Sequence, residues 1–177
     1  MNELPAFVPP ILDFIKTHQV WAAPIVFLLA FGESLAMISL LLPATVILWA
    51  IGALIGGLGL DFWTLWLAAA SGAAFGDWLS YWLGFHYHEQ IARMWPLSKY
   101  PDLMPRSHAL FEKYGTAGVF IGRFFGPLRA VVPLAAGAAQ MNPLPFQLAN
   151  WSSALLWATV TLAPGALGME WLKRLLG

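Results

Sequence analysis

The sequence predicts an all-α polytopic membrane protein in which two re-entrant helical hairpins and full transmembrane helices form an inverted repeat. Three observations predict this class: an apolar composition, few charges, and apolar segments that are interrupted by prolines and charged residues. Of the 177 residues, 59% are apolar and 10% are charged, whereas soluble domains contain about 45–50% apolar and about 25% charged residues. This composition is very hard to reconcile with a water-soluble globule.

The charge balance and the absence of cysteine exclude several function classes. Nine Lys and Arg residues balance nine Asp and Glu residues, so there is no excess of positive charge to hold a nucleic-acid backbone. Without cysteine, disulfides, thiolate nucleophiles and Cys-ligated metal centres are excluded. We therefore expect no nucleic-acid partner. His86 and His88 are two residues apart and point to different faces of a helix, so we expect no metal site there either, and we expect no cofactor.

The first 19 residues are predicted to form an amphipathic helix that lies in the membrane interface. Val8, Ile11 and Ile15 fall at helical spacing on one face, while Asp13 and Thr17 lie on the opposite face. The N-terminus has no basic n-region, so we expect it to be retained in the mature protein rather than cleaved as a signal peptide.

Residues 20–60 contain one charged side chain, Glu33, and its position predicts a re-entrant hairpin. The apolar segment Val20–Phe31 would extend about 18 Å as a helix, too short to cross a hydrocarbon core of about 30 Å. Glu33 and then Pro43 follow this segment. Irregular backbone at membrane depth must be shielded by protein or line a water-filled cavity, so we predict that the chain turns back between Glu33 and Pro43.

Phe62–Phe85 is predicted to be a full span with Asp77 directed to the interior. A helix of this length would extend about 36 Å, and its tryptophans, like most of the ten in the chain, are expected to act as interfacial anchors or core residues. Asp77 lies too far from the end of the span for an anionic group that faces lipid. The following segment 86–114 carries four basic residues, which predicts a cytoplasmic location.

The second half of the chain places two arginines in an apolar segment. Gly115–Met141 is interrupted by Arg123, Arg129 and Pro133, and a last span follows. Each arginine costs about 2.5–3.5 kcal/mol on membrane-insertion scales. A purely structural role does not account for that cost.

An internal repeat is suggested by an offset of 90 residues. This offset aligns the following pairs: His18 with His108, Gly32 with Gly122, Glu33 with Arg123, and Pro43 with Pro133. We therefore divide the single membrane domain, residues 1–177, into an interfacial helix at 1–19, a first repeat at 20–85, a cytoplasmic segment at 86–114, a second repeat at 115–168 and a tail at 169–177.

The orientation of the two repeats is predicted to be inverted. This arrangement would place Lys173 and Arg174 on the outer side, against the positive-inside rule. A parallel repeat, in which residues 115–141 cross the membrane fully, satisfies that rule. The inverted version accounts better for the half-length apolar segments, and we retain it.

Three segments of the chain resemble a known family. They read Gly-Arg-Phe-Phe-Gly-Pro-Leu-Arg-Ala-Val-Val-Pro at 122–133, Gly-Asp with a following Tyr and Gly at 76–84, and Phe-Gly-Glu at 31–33. They resemble the signature of the DedA family, also called the SNARE-associated or VTT-domain family. The resemblance covers about residues 20–168, and the arginine segment is its most specific part.

The resemblance implies a protein of the bacterial inner (cytoplasmic) membrane that moves lipid headgroups between leaflets. Family members are associated with undecaprenyl phosphate recycling or glycerophospholipid translocation, and proton coupling is proposed for several. Position by position, Glu33, Arg123 and Arg129 match the family's functional charges, and Asp77 matches a motif acid.

Two departures from the family pattern affect what the resemblance implies. Ala44-Thr45 follows Pro43 where the family often has Gly and then Glu or Asp, so a second hairpin carboxylate is missing, which argues against ordinary proton coupling. The family's Pro-Gly between the arginines is reversed to Gly126-Pro127.

The residue chemistry supports a substrate site made of Arg123, Arg129, Glu33 and Asp77, with no catalytic residue. Guanidinium groups bind phosphate through paired hydrogen bonds better than ammonium groups do. We expect Glu33 to pair with Arg123 when no lipid is bound. The chain is then a flippase or scramblase whose partners are lipid phosphates, with protons and homo-oligomerisation left open.

Three alternatives remain at this point. The four charges can form a structural ion network in a membrane scaffold, or serve a small-ion or solute transporter. A membrane enzyme that acts on lipid phosphates is disfavoured, because such chemistry commonly uses histidine and all four histidines lie outside the apolar spans. We therefore expect that the protein is not an enzyme.

Overall fold

The computed structural model describes residues 8–35, 44–87, 102–125 and 128–176, and the regular structure in these ranges is helical. This confirms the all-α prediction for the described residues. The helices are α1 (Val8–Thr17), a 3-10 turn (Gln19–Trp21), α2 (Ala22–Ser34), α3 (Ala44–Leu58), α4 (Phe62–Tyr87), α5 (Leu103–Tyr114), α6 (Ala117–Gly122), α7 (Leu128–Ala138) and α8 (Pro143–Leu176).

Helix α1 shows the amphipathic character that its sequence predicts. Ile15 is fully buried in the main apolar core, whereas Asp13 and Thr17 are exposed. The buried face of α1 packs against α3, so the N-terminal helix is part of the folded domain.

The residues of the predicted first hairpin include helices α2 and α3. Helix α2 ends at Ser34, one residue after Glu33, and α3 begins at Ala44. The predicted turn, with Pro43, falls at residues 36–43, outside the described residues. Gly126-Pro127 and residues 88–101 of the predicted cytoplasmic segment also lie outside them.

The second half differs from the prediction in two boundaries. Of the predicted interruptions, Arg123 begins the turn residues 123–125 that follow α6, whereas Arg129 and Pro133 lie inside α7. Helix α8 continues to Leu176, so the last helix includes most of the predicted tail. No helix within the described ranges has both the length and the apolarity that crossing a membrane requires.

Glycines allow α2 to approach α4 closely. A Cβ at Gly72 would collide with the main chain of Phe27, and a Cβ at Gly76 would lie 2.5 Å from the carbonyl oxygen of Phe31. The small-residue spacing of α4 therefore packs two helices of one chain together, as in close helix crossings. This crossing fixes Glu33 and Asp77 on neighbouring helices.

The short helices pack crosswise on the two long helices, α4 and α8. In each half the first short helix packs on the long helix of its own half, α2 on α4 and α6 on α8. The second short helix packs on the long helix of the other half, α3 on α8 and α7 on α4. The interior between α4 and α8 therefore receives the end of α2 and the break between α6 and α7.

Candidate functional site

The structure brings all four predicted site residues into this interior. Glu33 lies near the end of α2, Asp77 in α4, Arg123 directly after α6, and Arg129 in the first turn of α7. The first three are each 4% exposed, and the side chain of Arg129 is 14% exposed. The predicted interior direction of Asp77 agrees with its burial, and the role of the four residues in substrate binding stays a prediction.

Arg123 is held on three sides by polar groups. One of its terminal nitrogens, Nη2, donates to a carboxylate oxygen of Asp77 and to Oδ1 of Asn150 at 2.7 Å. Its Nε donates to the hydroxyl of Ser153 at 2.9 Å. These contacts join the α6–α7 break to both α4 and α8.

Arg129 is held in a different way. Its Nη1 donates to Oε1 of Glu33 at 2.9 Å, and its guanidinium carbon lies 4.9 Å from the centre of a ring of Trp157. One carboxylate of α2 and one aromatic side chain of α8 therefore hold this arginine.

The expected Glu33–Arg123 pair is wrong: Glu33 pairs with Arg129, and Arg123 pairs with Asp77. The expectation came from the alignment of Glu33 with Arg123 in the internal repeat. Positions that are equivalent in a repeat need not be in contact. Here Arg123 follows α6, which packs on α8, whereas Arg129 is in α7, which contacts α2.

Three further site residues, Asn150, Ser153 and Trp157, were not predicted. All are buried, and their spacing of three and four residues places them on one face of α8. Asn150 also donates to the carbonyl oxygen of Ala74 at 2.9 Å, which ties α8 to α4. The sequence feature that could have identified them is this spacing of side chains able to make polar contacts within an otherwise apolar helix.

Both arginines retain a buried nitrogen that can donate further hydrogen bonds. In the described part of the chain, Nη1 of Arg123 and Nη2 of Arg129 have no hydrogen-bond partner. A buried donor without an acceptor costs about 1–3 kcal/mol, and more when it is charged, and such groups are uncommon in native structures. The described part of the site therefore contains two buried cationic donors without an acceptor.

Two apolar clefts lie on the exposed side of α4, which carries Asp77 on its buried side. One cleft, of about 620 Å³, is lined by Phe27, Phe31, Phe75, Trp78, Leu79 and Trp82. A smaller cleft of about 190 Å³ shares two of these rings and also includes Gln147. Gln147 accepts a 3.3 Å hydrogen bond from Asn150, so the wall of the smaller cleft is linked to the polar network around Arg123.

Metal chemistry has no candidate site within the described ranges, where no group of three or more His, Cys, Asp or Glu side chains is placed to hold an ion. The charged centre instead consists of two cations and two anions. These groups define an all-helical protein whose interior contains two arginine–carboxylate pairs.

Comparison with known proteins identifies the family. Residues 42–167 match the VTT domain, which is more than half of the chain, so the protein belongs to the VTT-domain, or DedA, family. This confirms the family that the sequence motifs indicate.

Curated relatives include membrane proteins of two bacteria. The chain is 37% identical over 154 residues to inner membrane protein YabI of Escherichia coli K12, covering 87% of this chain and 61% of that protein. It is 34% identical over 148 residues to inner membrane protein YqjA of the same strain, covering 80% of this chain and 64% of that protein. It is 29% identical over 153 residues to uncharacterized membrane protein BU139 of Buchnera aphidicola, covering 86% of this chain and 60% of that protein.

The chain thus spans about three fifths of the length of these curated relatives. No solved structure matches it significantly.

Proposed function

We propose that this protein is a lipid transporter of the bacterial inner membrane. It acts as a flippase or scramblase that moves an anionic lipid phosphate, such as undecaprenyl phosphate or a glycerophospholipid, between leaflets. The location is supported by the relatives YabI and YqjA, which are named inner membrane proteins. The proposed activity breaks no covalent bond, so the protein is not an enzyme in this proposal.

The observation that carries the proposal is the pair of buried guanidinium nitrogens, Nη1 of Arg123 and Nη2 of Arg129, that lack acceptors among the described residues. A phosphate group has several acceptor oxygens and can take hydrogen bonds from two guanidinium groups. In a site from which water is excluded, such charge-assisted bonds are strengthened. A lipid phosphate supplies what these two donors lack.

The apolar clefts support a lipid over a free anion. Phe75 and Trp78 line both clefts on α4, and Gln147 links the smaller one to the Arg123 network. A molecule with a phosphate head and a hydrocarbon chain can place the head at the arginines and the chain along these aromatic side chains. A free phosphate ion has no hydrocarbon part that could contact the apolar clefts.

The fold part of the proposal is an inverted repeat of two re-entrant hairpins, α2–α3 and α6–α7, each followed by a long helix. It is supported by the order of two short helices and one long helix in each half and by their crosswise packing. Sites between such repeats lie near the bilayer midplane in known transporters. A headgroup bound there is midway between the two leaflets.

A structural ion network is the second candidate, and a specific observation favours it. Each carboxylate is paired with an arginine, so the four groups have no net formal charge. In that case the network sets the helix arrangement and binds no lipid. Replacement of a structural pair by apolar residues should then preserve both the fold and whatever activity the protein has.

The test is lipid translocation in liposomes that contain the purified protein. The probe is fluorescently labelled phosphatidylglycerol, and the reduction of outer-leaflet label by dithionite measures its movement between leaflets. We expect wild type to move the probe, and Arg129→Gln to slow it by roughly tenfold or more, because a charged hydrogen-bond donor to the phosphate is lost. A pH gradient applied across the same liposomes measures whether protons take part.

The matched control is Arg106→Gln, which removes an exposed arginine of α5. It should transport as wild type does. Wild-type protein that moves neither labelled phosphatidylglycerol nor a labelled polyprenyl phosphate faster than protein-free liposomes would contradict the proposal. An Arg129→Gln variant that matches Arg106→Gln would contradict it as well.

A further inference from the structure

Trp157 holds Arg129 without using its hydrogen-bond donors. The guanidinium carbon of Arg129 lies 4.9 Å from the centre of a ring of Trp157, a distance at which a cation is attracted to the aromatic face. Trp157 is 5% exposed, so water competes little for this contact, and such contacts are stronger when they are desolvated.

In a site that exchanges ligands, the contact that holds the cation should not occupy the N–H groups that bind the ligand. A guanidinium group donates its hydrogen bonds in its own plane, whereas an aromatic face attracts the whole cation. The contact with Trp157 takes no hydrogen bond from Arg129: Nη1 donates to Glu33, and Nη2 has no acceptor among the described residues. A polar side chain in place of the indole would itself accept some of these hydrogen bonds.

The contact with Trp157 can also keep Arg129 in the interior when another anion displaces the Glu33 carboxylate. Within the described residues, Arg129 has one hydrogen-bond partner, Glu33, whereas Arg123 has Asp77, Asn150 and Ser153. An anion that displaces Glu33 would leave Arg129 without a second support if the ring were absent.

We propose that Trp157 is a positioning residue of the anion site, which holds Arg129 in place while the Glu33 carboxylate exchanges for a lipid phosphate. This inference rests on the proposed function and extends it to a residue of α8. It assigns different tasks to two tryptophans of that helix: Trp157 lies on Arg129, whereas Trp151 is more exposed and packs against Phe75.

The experiment measures binding of farnesyl phosphate, a short and soluble polyprenyl phosphate, to the purified full-length chain in detergent by calorimetry. Farnesol, which lacks the phosphate, corrects for binding to apolar surface. We expect Trp157→Leu to weaken phosphate-dependent binding roughly fivefold to thirtyfold, the span from an exposed to a desolvated cation–π contact. Trp49→Leu, at an exposed tryptophan of α3 that lines neither cleft, is the matched control and should bind as wild type does.

Trp157→Phe separates positioning from packing. Phenylalanine retains an aromatic face, although a weaker one than indole, and leucine is apolar without such a face. At equal melting temperature we expect the phenylalanine variant to bind farnesyl phosphate more tightly than the leucine variant. If the two bind equally, Trp157 has a packing role only and the inference is overturned.

The outcomes for the inference and for the proposed function can be told apart. If wild type shows no phosphate-dependent binding and no lipid translocation, the proposed function is wrong and this inference fails with it. If wild type binds farnesyl phosphate and Trp157→Leu binds it equally well, the inference alone is overturned. If Trp157→Leu does not fold, the comparison of Trp157→Phe with wild type decides, with a loss of affinity expected and unchanged affinity contradicting the inference.

Discussion

The two arginines of the site are six residues apart and are held in different ways. Arg123 donates to three polar side chains, and its own side chain is 3% exposed. Arg129 contacts one carboxylate and one aromatic ring and is 14% exposed. Arg123 therefore has more polar contacts in the interior than Arg129, and in the proposed function the Glu33–Arg129 pair is the part that exchanges for a ligand.

The largest expected effect comes from removal of the carboxylate that pairs with Arg123. Asp77→Ala leaves Arg123 buried without its anion, and breaking one partner of a buried ion pair costs about 3–5 kcal/mol of unfolding free energy. Glu33→Ala should cost less, about 1–3 kcal/mol, because Arg129 is more exposed and retains Trp157. Denaturant unfolding of both variants in detergent measures the difference, and equal losses would contradict the distinction between the two arginines.

The close packing of α2 on α4 allows a second test of the Glu33–Arg129 pair, because α2 carries Glu33. In Gly76→Ala the new methyl group would lie 2.5 Å from the Phe31 carbonyl oxygen and 2.8 Å from Cβ of Ser34, so α2 must shift and carry Glu33 with it. We expect a loss of roughly 1–3 kcal/mol in unfolding free energy and altered farnesyl phosphate binding.

The control for this variant is Gly57→Ala in α3, where a Cβ would have no atom of the described residues within 4 Å beyond its own stretch of helix. It should be neutral or stabilising by up to about 1 kcal/mol, since alanine favours helix more than glycine does. A Gly57→Ala protein less stable than Gly76→Ala would show that close packing is not the cause.

Asn150 tests how firmly Arg123 is fixed. Asn150→Ala removes the acceptor of an Arg123 hydrogen bond and the donor to the Ala74 carbonyl, which should cost about 1–3 kcal/mol of stability. Ser152→Ala, at an exposed serine that bonds to its own helix, should stay within about 0.5 kcal/mol of wild type. Thermal unfolding of the two variants should rank them in this order, and the reverse order would contradict the structural role of Asn150.

The smallest effect is expected at Asp61, a carboxylate that contacts neither arginine. The Thr64 hydroxyl and backbone N–H donate to Asp61 at the start of α4, which holds the pKa of this exposed carboxylate below its usual value of 3.8. The contribution of this carboxylate to stability is therefore present above that value and is lost as the pH falls through the lower folded pKa.

We expect Asp61→Asn to lower the melting temperature slightly at neutral pH and to remove this part of the acid dependence. Phosphate binding should not change, because the residue is remote from the site. A loss of farnesyl phosphate binding in this variant would show that carboxylate substitutions act on the fold in general and would weaken the interpretation of Glu33→Ala.

The site charges were predictable from the sequence because charges are rare in apolar segments. Glu33, Asp77, Arg123 and Arg129 each interrupt such a segment, and the cost of burying them implies an inward direction. The all-helical class follows from the same apolar pattern. Each of these inferences uses local sequence and a known free-energy cost.

The pairing of the charges was not predictable in the same way. Which arginine meets Glu33 depends on how α7 and α2 cross, and a sequence offset contains no information about that angle. The face of α8 was missed because Asn150 and Ser153 carry no charge, and because Trp157 is one of many tryptophans expected as anchors or core. Its function depends on Arg129, a residue on another helix.

The most direct test of the central claim is solid-state NMR of the protein in lipid bilayers that contain a polyprenyl phosphate. Arginine side chains are labelled with ¹⁵N, and ³¹P dephasing of their signals reports contact with the phosphate. The Arg129→Gln and Arg123→Gln spectra assign the two signals, and Arg106, exposed on α5, is the internal control. We predict strong dephasing of Arg129 and Arg123 and little for Arg106; dephasing of Arg106 alone, or of none of the three, would contradict the account.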